Sequence, residues 1–484
     1  MARGCSGNES SVRFRGCSTG SRGLSELTTR HAVPSSFRDP AGFVFWEDGA
    51  LYRQVNLVYR DNYDCLMNSG LYEKLTGAGL LVQHEEVEIP TPTPDLSYHV
   101  IRPQLIPFTS YPYEWSFSQL RDAAATMLQI EKICLDFGMS LKDSSAYNIQ
   151  FVRGKPVFVD TLSFERYHEG QPWVAYRQFC QHFLAPLALM SYRDIRLSQL
   201  LRVHIDGVPL DLASCLLPLR TRLNFGMLAH LHMHAQSQRH YAGRPGHRSS
   251  GRLSRLSLQG IVDSLEAAVS RTKWSAHGTE WVDYYDRTNY SPEAFEDKRR
   301  IVGMFLARVK PTSAWDLGAN TGAFSQIAAN QGIFTVSMDI DPAAVEVNYL
   351  KCREAKEGNI LPLVMDLTNP SADIGWANEE RMSLTERGPT DTVIALALIH
   401  HMAISNNVPF EKIAGFLGRI CRNLIIEYVP KTDSQVQRLL ATREDIFGGY
   451  TRAAFEREFE RFFSVLDIAG LGNSERVIYL MTKK

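Results

Sequence analysis

The 484-residue chain has no CxxC pair; its eight cysteines, Cys5, Cys17, Cys65, Cys134, Cys180, Cys215, Cys352 and Cys421, stand far apart. That spacing argues against a zinc ribbon and a disulfide framework, and fits the reduced thiols of a cytoplasmic protein. No apolar run approaches the roughly 18 residues needed to cross a bilayer, so no membrane partner is expected. Excess charge of one sign is missing too: 52 basic residues face 53 acidic ones, leaving −1. The chain therefore has no overall attraction for nucleic acid, and a nucleic-acid partner is not expected. Residues 1–36 are rich in Ser, Gly and Arg but lack the apolar centre of a secretory signal, which predicts a flexible tail. No internal repeat is evident, so the two halves should be different folds.

What is present is ordinary globular material in quantity. Hydrophobic residues make up 44% of the chain, with 7 Trp, 19 Tyr and 24 Phe. That suffices for more than one core at this length. Between Gln236 and Leu258 the sequence carries five arginines, Gly, Pro and Ser but no acid, and residues 241–272 are expected to form a basic linker. This predicts an N-terminal domain over 37–240 and a C-terminal one over 273–484.

In the C-terminal half, SAWDLGANTGAFSQIAANQGIFTVSMDIDP, starting at Ser313, alternates short apolar strands with helical stretches. This βαβ pattern predicts a parallel sheet. Asp316 closes the first strand, and Gly318 and Gly322 let the backbone turn beside a ligand into a helix. Asp339 closes the next strand, where a carboxylate can accept hydrogen bonds from both hydroxyls of a ribose. An adenosine-containing cofactor suits this spacing. The GANTG interval lacks the GxGxxG of a pyrophosphate-binding dinucleotide site, which disfavours NAD.

These residues resemble the class I S-adenosyl-L-methionine (SAM)-dependent methyltransferases over about 296–484. The resemblance implies a Rossmann-like, mostly parallel sheet with an antiparallel final pair. It also implies SAM as cofactor, with Gly318 and Gly322 along its methionine part and Asp316 orienting that loop or the ammonium. Asp339 would hold the ribose and Asp366 the adenine amino group. On this reading 274–484 alone should bind SAM. His400 and His401 follow the strand VIALALI; on an extended segment they alternate in direction, so one should face the cofactor as a general base. Glu427, closing LIIEY, is a second candidate for orienting acceptor or base. The aromatic group from Trp274 to Tyr290, with Trp281 and Tyr284, is expected to pack over this core or to line the acceptor entrance.

In the N-terminal half, GFVFWEDGALYRQV reads as a hairpin turning at Asp48-Gly49, followed by further strands and a long helical segment. LKDSSAYNIQFVRGKPVFVDTLSFE then sets Asp143 five residues before Asn148, with Asp160 ending a later strand. This resembles a protein-kinase-like α+β domain, and implies Asp143, Asn148 and Asp160 as candidate nucleotide and magnesium contacts. The sequence departs from that pattern: Leu141-Lys142 replaces His-Arg, no DFG follows, the hairpin is too tight for a phosphate loop, and Arg53 stands near the place of the phosphate lysine. Phosphotransfer is therefore not expected, leaving nucleotide binding, substrate binding and scaffolding as open roles. His230, His232 and His234 lie in a helical context that cannot aim all three at one metal.

The function expected is methyl transfer to an unidentified acceptor, a small molecule or glycoconjugate. Alternatives are a protein or RNA acceptor recruited through the N-terminal domain, a bifunctional kinase-methyltransferase, or a non-catalytic scaffold. A less specific resemblance is to nodulation-associated methyltransferases.

Overall fold

The computed structural model of the protein describes residues 31–234, 254–276, 292–441, 443–472 and 474–484. The proposed tail up to residue 30, the Gly- and Ser-rich part of the expected linker, and Trp281 and Tyr284 lie outside the described residues. Among those described, no helix is long and apolar enough to cross a membrane.

The N-terminal region opens with a five-stranded antiparallel sheet, ordered β1-β2-β3-β5-β4. Its strands are β1 (His31–Ala32), β2 (Gly42–Glu47), β3 (Ala50–Asn56), β4 (His84–Glu86) and β5 (Ser97–Pro103). The β2–β3 hairpin turns at Asp48 and Gly49, both with positive φ, as a tight two-residue hairpin loop requires. Two short helices, α1 (Arg60–Asn68) and α2 (Leu71–Gly77), separate β3 from β4. The long helix α3 (Phe117–Asp136) starts at Ser116, whose hydroxyl accepts the Gln119 N–H while the Gln119 side chain accepts the Ser116 N–H. After it come β6 (Met139–Leu141), paired with β9 (Phe164–Arg166), and the hairpin of β7 (Ile149–Val152) and β8 (Lys155–Phe158).

One expectation about the connection needs correction: its second half is helix α4 (Arg255–Ser270), not linker. Leu258, Val262, Leu265 and Val269 recur at helical spacing and are buried, while Lys132 of α3 bonds Asp263 and Glu266. The basic composition hid an apolar stripe.

The C-terminal sheet has seven strands in the order β12-β11-β10-β13-β14-β16-β15. These are β10 (Ser313–Leu317), β11 (Phe334–Asp339), β12 (Ile360–Val364), β13 (Thr390–Ala395), β14 (Cys421–Tyr428), β15 (Phe463–Gly470) and β16 (Val477–Lys483). The first five run parallel, whereas β16 is antiparallel to β14 and β15 to β16, as expected. Helices α5 (Pro292–Val309), α6 (Ala323–Asn330) and α7 (Pro342–Ala355) flank it. The chain runs outward from β10 through β11 to β12, then crosses back to β13. The carboxyl ends of β10 and β13 thus border the switch point where such sheets bind ligands.

The two regions share one continuous apolar core. Phe108 packs edge-on against Trp315 of β10, and Phe151 against Tyr349 of α7. Polar ties cross the same boundary: Ser118 donates to Glu346, and the Gln119 amide to the carbonyl of Pro362. The C-terminal half is therefore not the self-contained unit expected, because its α7 and β12 side is covered by α3.

Candidate active site

Beyond β10 the backbone turns through Gly318, Asn320 and Gly322, all at positive φ, into α6. A side chain at Gly322 would meet the Asn348 amide at 2.5 Å, so this position requires glycine for both conformation and space. At Gly318 an added Cβ would stand 3.4 Å from Leu398.

The turn borders a cavity of about 380 Å³, within the range of small-molecule and cofactor sites. Asp316, Gly318, Asn320 and Asp339 form one wall, and Asp366 to Thr368 continue it. Leu396 to Leu398, His401 and Met402 line the cavity too, as do Phe295, Lys298 and Phe324. Of the residues expected at the site, Gly322, His400 and Glu427 are not on the wall; Gly322 caps α6 against Asn348. A second hollow, of about 590 Å³ beside Gly49, Gln83 and Arg102, gathers none of the candidates.

Asp339 is held by two backbone donors, Asn320 N–H on one oxygen and Asp341 N–H on the other, each at 2.8 Å. A carboxylate has about four acceptor positions, and the Ile340 N–H also approaches this one, so acceptor capacity remains for a ligand. Burial pushes its carboxyl up to about 6 despite those bonds. Asp316 is likewise raised to about 6 by burial, with the Ser325 hydroxyl opposing at 2.7 Å. Asp366 accepts both the N–H and the hydroxyl of Thr368, which folds the wall's far end into a tight turn.

The histidine pair is not on an extended segment, which is a second correction. His400 has helical φ and ψ, and the turn His401–Ser405 follows directly. Adjacent side chains therefore diverge by about 100° rather than 180°. His401 reaches the cavity; His400 is buried behind it, the rings 4.2 Å apart. Burial lowers the His401 imidazole to about 4. His400 is lowered further, chiefly by burial and then by His401, Arg476 and Lys298. His401 is thus neutral at physiological pH and able to accept a hydrogen bond, but burial makes it a weaker base than its residue type suggested.

Glu427 is buried below the wall, where Lys298 Nζ and the Ala397 N–H each donate to it at 2.7 Å and Arg476 approaches at 3.5 Å. Ala397 has φ of 50°, unfavourable for a residue with a Cβ, and the Glu427 bond holds it there. Glu427 therefore shapes the segment leading to His401. Lys298, on the wall itself, and Arg476 were missed by sequence reasoning, since a lysine within EDKRR reads as a solvated helix face. Burial lowers the Lys298 ammonium even with Glu427 beside it.

In the N-terminal region, Asp160 is already neutralised: Arg53 bonds it at 2.6 Å, and Leu162 N–H and the Ser163 hydroxyl complete its shell. Burial alone would raise its carboxyl, but Arg53 and these donors hold it below the usual range. Asp143 accepts the Ser145 N–H in a local turn and is raised by burial, with Asp160 adding to the rise. Asn148 lies next to it in the fold. Lys142 pairs with Asp39 and lies over the Tyr59 ring. His230 bonds Tyr176 and Ser264, whereas His232 bonds Ser214 and Thr221, so they diverge as the helical reading requires.

A seven-stranded sheet of this order and polarity, with a glycine turn and two buried aspartates at its switch point, defines a Rossmann-like α/β protein with a ligand cavity at the carboxyl ends of its strands. The chain is 32% identical over 460 residues to nodulation protein NoeA of Rhizobium meliloti (strain 1021), spanning 92% of this chain and 95% of that protein. It belongs to the NoeA family of nodulation proteins. Solved structures with partial likeness include magnesium protoporphyrin IX methyltransferase (ChlM) from Synechocystis PCC 6803 with bound SAH (17% identity, 40% of this chain and 84% of that one, TM-score 0.29). Another is the bifunctional kinase-methyltransferase WbdD (16% identity, 41% of each chain, TM-score 0.29). No protein-family model matches the chain.

Proposed function

We propose that the protein is a SAM-dependent methyltransferase acting on a small molecule or glycoconjugate. The observation that carries this reading is the convergence of Gly318, Asp316 and Asp339 on one cavity at the sheet's switch point. The residues fit the cofactor: Asp339 has acceptor capacity left for the ribose, Ile340 offers an apolar face to the base, and Asp366 can accept from an exocyclic amine. Bound there, SAM supplies a methyl group that is already electrophilic. What remains for the protein is to align an acceptor and exclude water. On this reading Met402, Leu398 and Leu396 keep the reacting space apolar, and neutral His401 orients the acceptor hydroxyl or amine or takes its proton. Glu427 sets the backbone that presents His401.

The N-terminal region is proposed as a kinase-like domain that does not transfer phosphate, because Arg53 occupies the carboxylate that a metal-bound nucleotide would need. Titration calorimetry of the full chain with S-adenosylhomocysteine (SAH) tests the central reading, and absence of binding to folded protein would overturn it. With an acceptor found by methyl-label transfer into an extract, His401→Gln should lower turnover about a hundredfold if His401 takes the proton, with SAH affinity little changed. Full activity in that variant would exclude His401 from the chemistry.

A further inference from the structure

Where the wall of the cavity leaves β12, it passes at once into contact with the N-terminal region. Asp366, Leu367 and Thr368 line the cavity; the next residues, Asn369 and Pro370, give both carbonyls to Arg202. Ser371 then donates its hydroxyl to Glu114, just upstream of α3. The same carboxylate receives two bonds from Arg387, at 2.6 and 2.9 Å, at the far end of this loop. Both side chains are 1% exposed. Arg387 also donates to the Thr109 carbonyl and is sandwiched over the rings of Phe108 and Tyr111.

Glu114 therefore ties both ends of the segment 371–387 to one point outside the C-terminal sheet. Between these ends the Met382 N–H donates to the Tyr111 hydroxyl at 2.7 Å, Arg381 lies over the Tyr147 ring at 4.3 Å, and Glu380 pairs with Arg38. Tyr147 lies in sequence between Asp143 and Asn148, so the loop touches the segment that carries these candidate residues on one side and continues the cavity wall on the other. A fully buried, bidentate ion pair fixes position more than it adds stability, because its components lose hydration on burial. Here what it fixes is a cavity wall.

We propose that Glu114, Arg387 and Tyr111 are positioning residues for cofactor binding: the N-terminal region builds the Asp366–Thr368 wall, so affinity for SAM depends on contacts outside the methyltransferase-like sheet. The inference rests on the reading that the cavity takes SAM. Two full-chain variants test it. Glu114→Gln with Arg387→Met removes both charges together and leaves no unpaired buried ion. Tyr111→Phe removes one hydroxyl and carries the test if the double variant fails to fold.

Hydrogen exchange read by mass spectrometry should be faster by about tenfold or more over 366–387 in the double variant, with 313–339 unchanged. SAH binding should weaken about tenfold in the double variant and by a smaller factor in Tyr111→Phe. Adding SAH should slow exchange over 366–387 in the parent protein. Unchanged SAH affinity in a folded variant whose loop has loosened, or an unloosened loop in both folded variants, would overturn the proposal. If the parent protein binds no SAH, the cofactor reading fails by itself; the exchange over 366–387 then still decides whether the N-terminal region holds that wall.

Discussion

Asp339 and Asp160 are both buried carboxylates placed at or just beyond the end of a strand, yet the two regions treat them oppositely. In the C-terminal sheet Asp339 receives only backbone N–H groups, keeps acceptor positions free and opens onto a cavity. In the N-terminal region Asp160 receives a guanidinium, a hydroxyl and an N–H, which leaves little charge for a cation. The difference teaches that an acidic residue at the right spacing becomes a ligand only where nothing within the protein has satisfied it first. Below the cavity, Glu427 is a third case, a carboxylate consumed by Lys298 and Arg476 to hold the site's shape.

The largest effect expected from breaking this contrast is at Glu427. Glu427→Gln leaves Lys298 and Arg476 buried without their full counter-charge, and should destabilise the fold by about 3–5 kcal/mol. Urea unfolding would measure it, and a loss under about 1 kcal/mol would mean that Asp433 and other partners suffice for Arg476.

At Asp339, substitution by Ala should weaken SAH binding by roughly 1–3 kcal/mol with the fold retained, the scale for losing charge-assisted hydrogen bonds. Equal affinity would move the ribose contact elsewhere on the wall.

The smallest effect should come from Arg53→Met, which uncovers Asp160, whose side chain keeps 16% exposure to water, and should cost about 1–2 kcal/mol at neutral pH. Because Arg53 helps hold the folded Asp160 carboxyl below its ordinary value, the stability it confers is present above the unfolded pKa and is lost as pH falls through the folded one. The gap between parent and variant should therefore be full at pH 6–7 and close in acid, to be followed by thermal melts across that range. A gap that stays constant down to pH 2 would show that Arg53 acts through packing, not through this pair.

What was legible in the sequence was local. The glycine turn, Asp316 and Asp339 are fixed by a strand end and the few residues after it, and the Asp48-Gly49 hairpin needs only its own two residues. The helix α4 was legible as well, in the spacing of Leu258, Val262, Leu265 and Val269, but basic composition outweighed periodicity. The direction of the histidine pair turned on whether the backbone coils one residue earlier, a difference that strand-like composition does not encode. Lys298 meets Glu427 across 129 residues and Arg476 meets it across 49, while Glu114 and Arg387 meet across 273. Pairings at such separations leave no trace in spacing, because tertiary packing alone brings them together.

Helix α4 also bears on how the chain acquires its structure as it is made. Its residues 258–269 precede the C-terminal sheet in sequence but complete the packing around α3. While it emerges from a ribosome, the N-terminal region therefore cannot close its core until synthesis has passed about residue 270. The surface of α3 that later receives α7 and β12 stays uncovered until synthesis has passed about residue 364.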